Sequence, residues 1–163
     1  MVRLKNRYLL CEIIYENENS VSTSLTAFKI LNCLKDAVLQ IHGVYGGSLL
    51  KASISVKYFN EKTNIVLIRA ARGSHKLLQS AMTFVQKIGD YSAFFNTIHI
   101  GGTIQSCQKF LMKYNKRQLK VLLALVSKKE ERKKIRENIK QCSIVKQNPY
   151  LEENDEKMVS DND

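Results

Sequence analysis

The chain has 163 residues, 44% of them hydrophobic, and a formal net charge of +11. This is enough apolar content for one folded domain. No apolar run approaches the ~20 residues of a membrane-spanning helix, and the longest run near the start, Tyr8–Tyr15, is interrupted by Glu12. We therefore expect a soluble chain made in the cytosol.

The first predicted element is a strand over Arg3–Tyr15, buried on both faces for part of its length. A polar loop, Asn17–Ser24, follows and ends in a helix cap at Ser22 or Ser24. From Leu25 apolar residues recur every three or four positions, which predicts an amphipathic helix closed by Gly43. These apolar positions are Phe28, Leu31, Leu34, Val38 and Ile41.

Two runs with strand character come next. Ala52–Phe59 alternates apolar residues with smaller or polar ones, and Ile65–Ala71 is β-branched and apolar. Between them the polar segment Asn60–Asn64 has the length of a hairpin loop. The pattern therefore predicts two consecutive antiparallel strands.

A second helix is predicted from Ser74 to about Ile88, where a Gly-Asp pair breaks it, and a fourth strand over Phe94–Ile100. The order strand, helix, strand, strand, helix, strand predicts an α+β fold of the ferredoxin-like or RRM-like βαββαβ type with an antiparallel sheet. Two extra C-terminal helices are predicted, Thr103–Val126 and Lys128–Cys142.

The charge is distributed unevenly along the chain. From Glu152 onward there are six acidic residues and one basic residue, a balance of −5, so residues 1–151 carry +16. Such an excess predicts a polyanionic partner, with nucleic acid favoured over an anionic membrane. We assign residues 1–127 to an RRM-like domain with a basic C-terminal helix, 128–142 to a charged helical segment and 143–163 to an acidic disordered tail.

The residue types that carry catalysis are present but are not grouped. The four cysteines, at positions 11, 33, 107 and 142, form no Cys-x-x-Cys pair, and no histidine completes a zinc pattern. His42, His75 and His99 are not paired with a nucleophile, and the nine acidic residues before position 152 form no metal or acid/base pair. We expect no catalytic residue, no metal site and no cofactor bound by this chain, and buried structural roles for most cysteines.

The predicted helix Thr103–Val126 has two unlike faces. Apolar residues such as Cys107 and Leu111 cluster on one side. Five cations and no anion lie within about one third of the circumference on the other side: Lys109, Lys113, Lys116, Arg117 and Lys120. An ordinary solvated face usually mixes both signs, so this row favours phosphate binding over that alternative.

The junction Gly101, Gly102 and Thr103 joins a strand end to a helix N-terminus. Free backbone N–H groups and the helix dipole attract an anion at such a position. Thr103 is also a candidate N-cap, and the two roles are compatible. We therefore count this junction among the predicted RNA contacts.

Arg3, Lys5 and Arg7 alternate, so they share one side of an extended segment. Basic arms of this kind commonly follow a phosphate backbone, although a solvated terminus explains the pattern equally well. We include the three residues as predicted RNA contacts with that alternative open.

The sheet face away from the helices is predicted to bind protein. An RRM that stacks bases needs exposed aromatic residues on its central strands, and Ile65–Ala71 has none. The candidate partner surface consists of apolar strand residues whose faces the sequence leaves open: Ile13, Ile54, Val56, Ile65 and Leu67.

Three stretches resemble a known family. Phe94–Leu111 (FFNTIHIGGTIQSCQKFL), Tyr114–Gln118 (YNKRQ) and Met1–Glu12 (MVRLKNRYLLCE) closely resemble the Pop-five subunits of eukaryotic ribonuclease P and RNase MRP, as does the acidic tail. The likeness spans residues 1 to about 126, and its Gly-Gly-Thr to Cys-Gln core is long and specific.

This resemblance implies an RRM-like fold without base-stacking motifs and a nuclear and nucleolar ribonucleoprotein. It implies a TIM-barrel-like protein partner, other holoenzyme proteins, and contact with the catalytic RNA, which carries the Mg²⁺-dependent cleavage. The chain would support removal of tRNA 5′ leaders and processing of pre-rRNA without catalysing either.

Two other functions remain open from the residues. A free-standing RNA-binding module predicts tight RNA binding without a partner, and the missing aromatic residues count against it. A small ferredoxin-like enzyme of the acylphosphatase type needs a glycine-rich anion loop with an arginine after the first strand, and Glu16–Ser24 has neither.

Overall fold

The computed structural model describes residues 5–16 and 25–125. The elements in chain order are β1 (Asn6–Tyr15), α1 (Ala27–Lys51), β2 (Ser55–Asn60), β3 (Ile65–Ala71), α2 (His75–Thr83), β4 (Lys87–Ile88), β5 (Tyr91–Gly101) and α3 (Ile104–Leu125). The chain divides into two compact units, Met1–Cys107 and Gln108–Asp163. The predicted segments 128–142 and 143–163 lie outside the described residues, and the boundary at residue 127 stays a prediction.

Five antiparallel strands form the sheet in the order β2–β3–β1–β5–β4. β1 is central because it pairs with β3 on one side and with β5 on the other. The four strands β2, β3, β1 and β5 are those of the βαββαβ pattern, which confirms the predicted fold class. The short strand β4 is an addition that the sequence analysis did not predict.

The helices α1 and α2 pack on one face of this sheet. Because side chains alternate along a strand, every second residue of β1 and β3 points into this core. The strand contribution is Leu9, Cys11, Ile13, Val66, Ile68 and Ala70, and the helices contribute Ile30, Leu34, Val38, Leu78, Ala81 and Met82. Full burial of a leucine-sized side chain stabilises the fold by about 1.5–3 kcal/mol, so these residues hold the sheet and helices together.

Part of the second face of the sheet is also buried, so the predicted exposure of its apolar residues is wrong. Leu67 is 0% exposed and Ile65 is 4% exposed, although both lie opposite the helices. Ile13 and Ile54 belong to the helix-side core, and Val56 packs against that core. None of the five residues predicted to form a partner surface is exposed. Three of them lie on the helix side of the sheet, and Ile65 and Leu67 are buried on the opposite side.

Two helix boundaries also differ from the prediction. The N-cap of α1 is Thr26, whose side chain accepts a hydrogen bond from Lys29 N, rather than Ser22 or Ser24. Gly43 does not end the helix but kinks it, with φ 62° and ψ −163°, and α1 continues to Lys51. Glycine reaches this left-handed φ at little steric cost, so the chain changes direction and resumes the helix.

Among the described residues, none of the helices has the length and apolar content to cross a membrane.

The second helix, α2, ends at Thr83 rather than near Ile88. The residues after it form β4, which pairs with the start of β5 around Gly89 and Asp90. Gly89 has φ 62°, the backbone conformation that a two-residue hairpin turn requires at its first central position. Buried Val85 and Ile88 continue the apolar spacing of the helix, which is why the pattern alone extended it.

Candidate nucleic-acid interface

Four basic residues meet at one end of the sheet. Because β1 is antiparallel to β3 and β5, its start lies beside their ends: Asn6 pairs with Ala71, and Tyr8 pairs with Gly101. The backbone N–H of Arg72 also donates to the carbonyl oxygen of Lys5 at 2.8 Å. We call this region the basic end, and it comprises Lys5, Arg7, Arg69, Arg72 and the junction Gly101–Thr103.

The acidic residues of the described chain lie elsewhere. Glu12 pairs with the first residue of β3, and the backbone N–H of Glu16 donates to Ser92 at 3.0 Å near the start of β5. Glu61 and Asp90 are in the turns at that same opposite end, and Asp36 is in the middle of α1. No described carboxylate lies at the basic end, so its positive charge is not neutralised locally and attracts an anion.

Because Gly102 has no side chain, it leaves space for the Arg7 guanidinium group. A Cβ atom added to Gly102 would lie 3.1 Å from Arg7 Nη1, closer than ordinary van der Waals contact. Gly101 permits a second close approach, since its Cβ would lie 2.6 Å from Cys107 Sγ. Neither glycine has the positive φ seen at Gly43 and Gly89, so space rather than backbone conformation requires them.

Thr103 caps α3, as the sequence predicted. Its Oγ1 accepts a hydrogen bond from Ser106 N at 3.1 Å, and its carbonyl oxygen accepts one from Cys107 N at 3.3 Å. The first turn of a helix carries a partial positive charge. Arg7 adds a full positive charge beside this turn, and a bound phosphate would relieve the repulsion between them.

The α3 residues predicted to bind phosphate are described within the second unit alone. Lys109, Lys113, Lys116 and Arg117 are all exposed, and α3 contains no acidic residue. Lys120 lies in the helix, although its side chain is outside the described residues, as is the whole of Arg3. The structure thus places a row of four exposed cations on α3, and their binding of RNA stays a prediction.

Sequence reasoning named Lys5, Arg7 and the glycine junction as RNA contacts, which stay predictions, and did not name Arg69 and Arg72. These two residues are at the end of β3, more than 60 positions from Arg7 in the chain. The predicted strand order contained the signal, because an antiparallel partner of the first strand must bring its last residues to the start of that strand.

Two thiols of the described residues are buried, and two imidazoles lie within hydrogen-bond distance of other groups in the fold. Burial raises the pKa of Cys11 to about 12 and that of Cys107 to about 11, so both stay protonated at neutral pH. His42 Nε2 lies 2.8 Å from Ser80 Oγ, and His75 Nδ1 lies 2.7 Å from the Arg72 carbonyl oxygen. Within residues 5–16 and 25–125, no three His, Cys, Asp or Glu side chains are grouped closely enough to hold a metal ion.

A separate surface on α1 is apolar. Near the kink at Gly43 several large hydrophobic side chains are exposed, including Val44 at 77% and Tyr45 at 75%. The others on this helix are Phe28, Leu39, Ile41 and Leu49. Exposed apolar groups of this size commonly mark a protein contact, so the chain presents an apolar surface as well as a basic one.

Comparison of the sequence with protein families matches the model described as the Rpp14/Pop5 family over residues 7–112. The ribonuclease P/MRP protein subunit POP5 of Danio rerio is 39% identical over 153 residues, covering 88% of this chain and 88% of that protein. The Homo sapiens subunit of the same name is 36% identical over 151 residues, covering 90% and 92%. The Saccharomyces cerevisiae subunit is 30% identical over 141 residues, covering 75% and 82%.

The fold also resembles that of a chain in the cryo-EM structure of yeast ribonuclease MRP. The TM-score is 0.52 at 10% sequence identity, and the match covers 74% of this chain and 98% of that chain. At this low identity the likeness concerns the fold alone.

Proposed function

The chain belongs to the Rpp14/Pop5 family, and we propose on this premise that it is a subunit of ribonuclease P and RNase MRP that binds their RNA without catalysing cleavage. The relatives that cover most of its length are named as subunits of these enzymes. The match covers 88–90% of this chain and 88–92% of these two relatives, so the proposal concerns most of the chain.

The observation that carries RNA binding is the separation of charge across the sheet. The basic end collects Lys5, Arg7, Arg69 and Arg72 beside the N-terminus of α3, and the described carboxylates lie away from it. Backbone phosphates are the polyanion that such a group binds, with little selectivity for base sequence. The exposed cations of α3 would add further phosphate contacts.

The finer roles follow from the same proposal. The holoenzyme would remove tRNA 5′ leaders and process pre-rRNA, in the nucleus and nucleolus, with catalytic Mg²⁺ held by the RNA. A TIM-barrel-like protein subunit would be a partner. The apolar residues exposed on α1 support a protein contact in addition to RNA.

The first experiment is affinity purification of the tagged full-length chain, with sequencing of RNA and mass spectrometry of protein. We expect both ribonuclease P RNA and RNase MRP RNA to co-purify with other holoenzyme proteins. Recovery of neither RNA would contradict the proposal, and recovery of a varied RNA population without protein would favour a free-standing RNA-binding module.

The second experiment tests the basic end with a matched control. Lys5→Gln with Arg72→Gln removes two charges there, and Lys62→Gln with Lys87→Gln removes two exposed charges at the opposite end of the sheet. Each lost phosphate contact should lower the salt slope of RNA binding by roughly 0.7–0.9. Equal slopes for the two variants would show that the basic end makes no phosphate contact.

A further inference from the structure

A row of residues crosses the second face of the sheet at the basic end. Ser55 of β2 pairs with Arg69 of β3, Arg69 pairs with Tyr8 of β1, and Tyr8 pairs with Gly101 of β5. Paired residues share a face of a sheet, and their neighbours Leu9, Val56, Ile68 and Ala70 pack on the helix side. We call these four residues the cross-sheet row, and it lies opposite α1 and α2.

Two neighbouring members of this row have buried polar atoms without a partner. Arg69 Nε and Ser55 Oγ are shielded from solvent, and neither has a hydrogen-bond partner among the described residues. The guanidinium group stays charged at any physiological pH, and no described carboxylate lies at this end of the sheet. Buried polar groups are nearly always hydrogen-bonded in folded proteins. Two unpaired polar atoms on neighbouring residues therefore indicate that a ligand supplies their hydrogen-bond partner.

A partner for Arg69 Nε must accept a hydrogen bond, and the Ser55 hydroxyl can donate to the same acceptor. A phosphate oxygen accepts both bonds, and arginine binds phosphate through two parallel N–H donors. Arg69, Ser55 and Tyr8 are each half-buried rather than buried, so each residue keeps some accessible surface although Arg69 Nε and Ser55 Oγ are themselves shielded. The row ends at Gly101, the residue before Gly102. Gly102 approaches the guanidinium group of Arg7, a residue that pairs with Ala70 on the helix side of the same end of the sheet.

We propose that Arg69, assisted by Ser55, binds a phosphate group of the RNA backbone at the basic end. This inference rests on the proposed function and names a contact on the sheet face, where sequence reasoning expected protein alone. Partial burial strengthens the contact, because water competes less for the guanidinium group than at an exposed lysine.

The test uses the full-length chain and an in vitro transcript of ribonuclease P RNA. Arg69→Gln should weaken binding at least tenfold and lower the salt slope by roughly 0.7–0.9. Arg69→Lys should keep the slope but lose part of the affinity, since a lysine provides the charge without the paired donors. Lys62→Gln, at the opposite end of the sheet, is the control for loss of one charge.

Ser55→Ala distinguishes ligand binding from a structural role. Removing an unpaired buried hydroxyl should leave the urea midpoint unchanged or raised, while RNA binding falls about threefold. If Ser55 only stabilises the fold, the substitution should instead lower the urea midpoint and leave RNA binding unchanged. This variant also keeps the inference testable if Arg69→Gln does not fold.

The outcomes separate the two proposals. If the wild-type chain does not bind the transcript, the proposed function and this inference both fail. If the wild type binds and the Arg69 and Ser55 variants bind equally well with the same slope, only the inference is overturned. Loss of co-purifying protein with unchanged RNA binding would assign Arg69 to a partner's carboxylate and would also overturn it.

Discussion

Replacing Gly102 with alanine tests whether RNA binding depends on the position of the Arg7 guanidinium group beside this glycine. The new methyl carbon would lie 3.1 Å from Arg7 Nη1, so the guanidinium group must move by a few tenths of an ångström or leave the helix N-terminus. The backbone itself accepts alanine, because Gly102 is exposed and has no positive φ. The substitution therefore displaces one side chain at the basic end and leaves the fold intact.

The two expected effects of Gly102→Ala have opposite signs. A glycine-to-alanine change in a compatible conformation stabilises a protein by about 0.4–1 kcal/mol, so the free energy of unfolding should stay constant or rise slightly. A hydrogen bond to a charged group contributes about 1.5–3 kcal/mol. Loss of one Arg7 contact to phosphate should therefore weaken RNA binding by about tenfold or more, at 1.4 kcal/mol for each factor of ten.

The assay measures fluorescence anisotropy of a labelled ribonuclease P RNA transcript at fixed salt, together with urea unfolding of each variant. Gly73→Ala is the matched control, because an added Cβ there meets nothing within 4 Å and the backbone is not left-handed. Gly101→Ala should instead destabilise the fold, since its Cβ would lie 2.6 Å from Cys107 Sγ. If Gly102→Ala binds RNA as tightly as Gly73→Ala, the proposed contact between Arg7 and RNA is wrong.

Four further outcomes are expected. Thr103→Ala should lower the free energy of unfolding by about 1 kcal/mol in urea titration through loss of the α3 cap, and an unchanged midpoint would contradict the capping role. Leu34→Ala should lower it by about 2–5 kcal/mol because Leu34 is buried against the sheet, so a loss below 1 kcal/mol would show that the site collapses. Burial raises the pKa of Cys11 to about 12, so at pH 8 iodoacetamide should modify this thiol in urea but not in the folded chain, as peptide mass spectrometry would measure. Lys113→Glu with Arg117→Glu should weaken RNA binding and lower its salt slope without changing the circular dichroism spectrum, and an unchanged slope would mean that the α3 cations are only solvated.

Local patterns in the sequence determined most of the elements. The β-branched run Ile65–Ala71 coincides with β3, and the spacing of apolar residues on the last described helix predicted α3 to within a residue at each end. These features depend on neighbours along the chain, as does the Thr103 cap. The sequence also determined that α3 carries cations without anions, because helical periodicity alone puts them on one face.

The kink in α1 and the hairpin after α2 depended on contacts that local spacing does not encode. A glycine such as Gly43 commonly ends a helix, so the sequence predicted that α1 stops there. Apolar residues beyond it, such as Leu50, are buried in the core, and the helix continues. Val85 and Ile88 fit a helix as well as they fit the approach to a strand. Periodicity cannot separate these alternatives when the apolar run is short.

The candidate site itself was decided by tertiary structure. Alternation tells which strand residues share a face but not which face is inside, so Ile13 and Leu67 looked alike in the sequence although they lie on opposite sides of the sheet. Antiparallel pairing then brought Arg69 and Arg72 beside Lys5 and Arg7 and carried the acidic turns to the other end. The net positive charge is a property of the composition, whereas the grouping of four cations at an end of the sheet without a described carboxylate results from strand register.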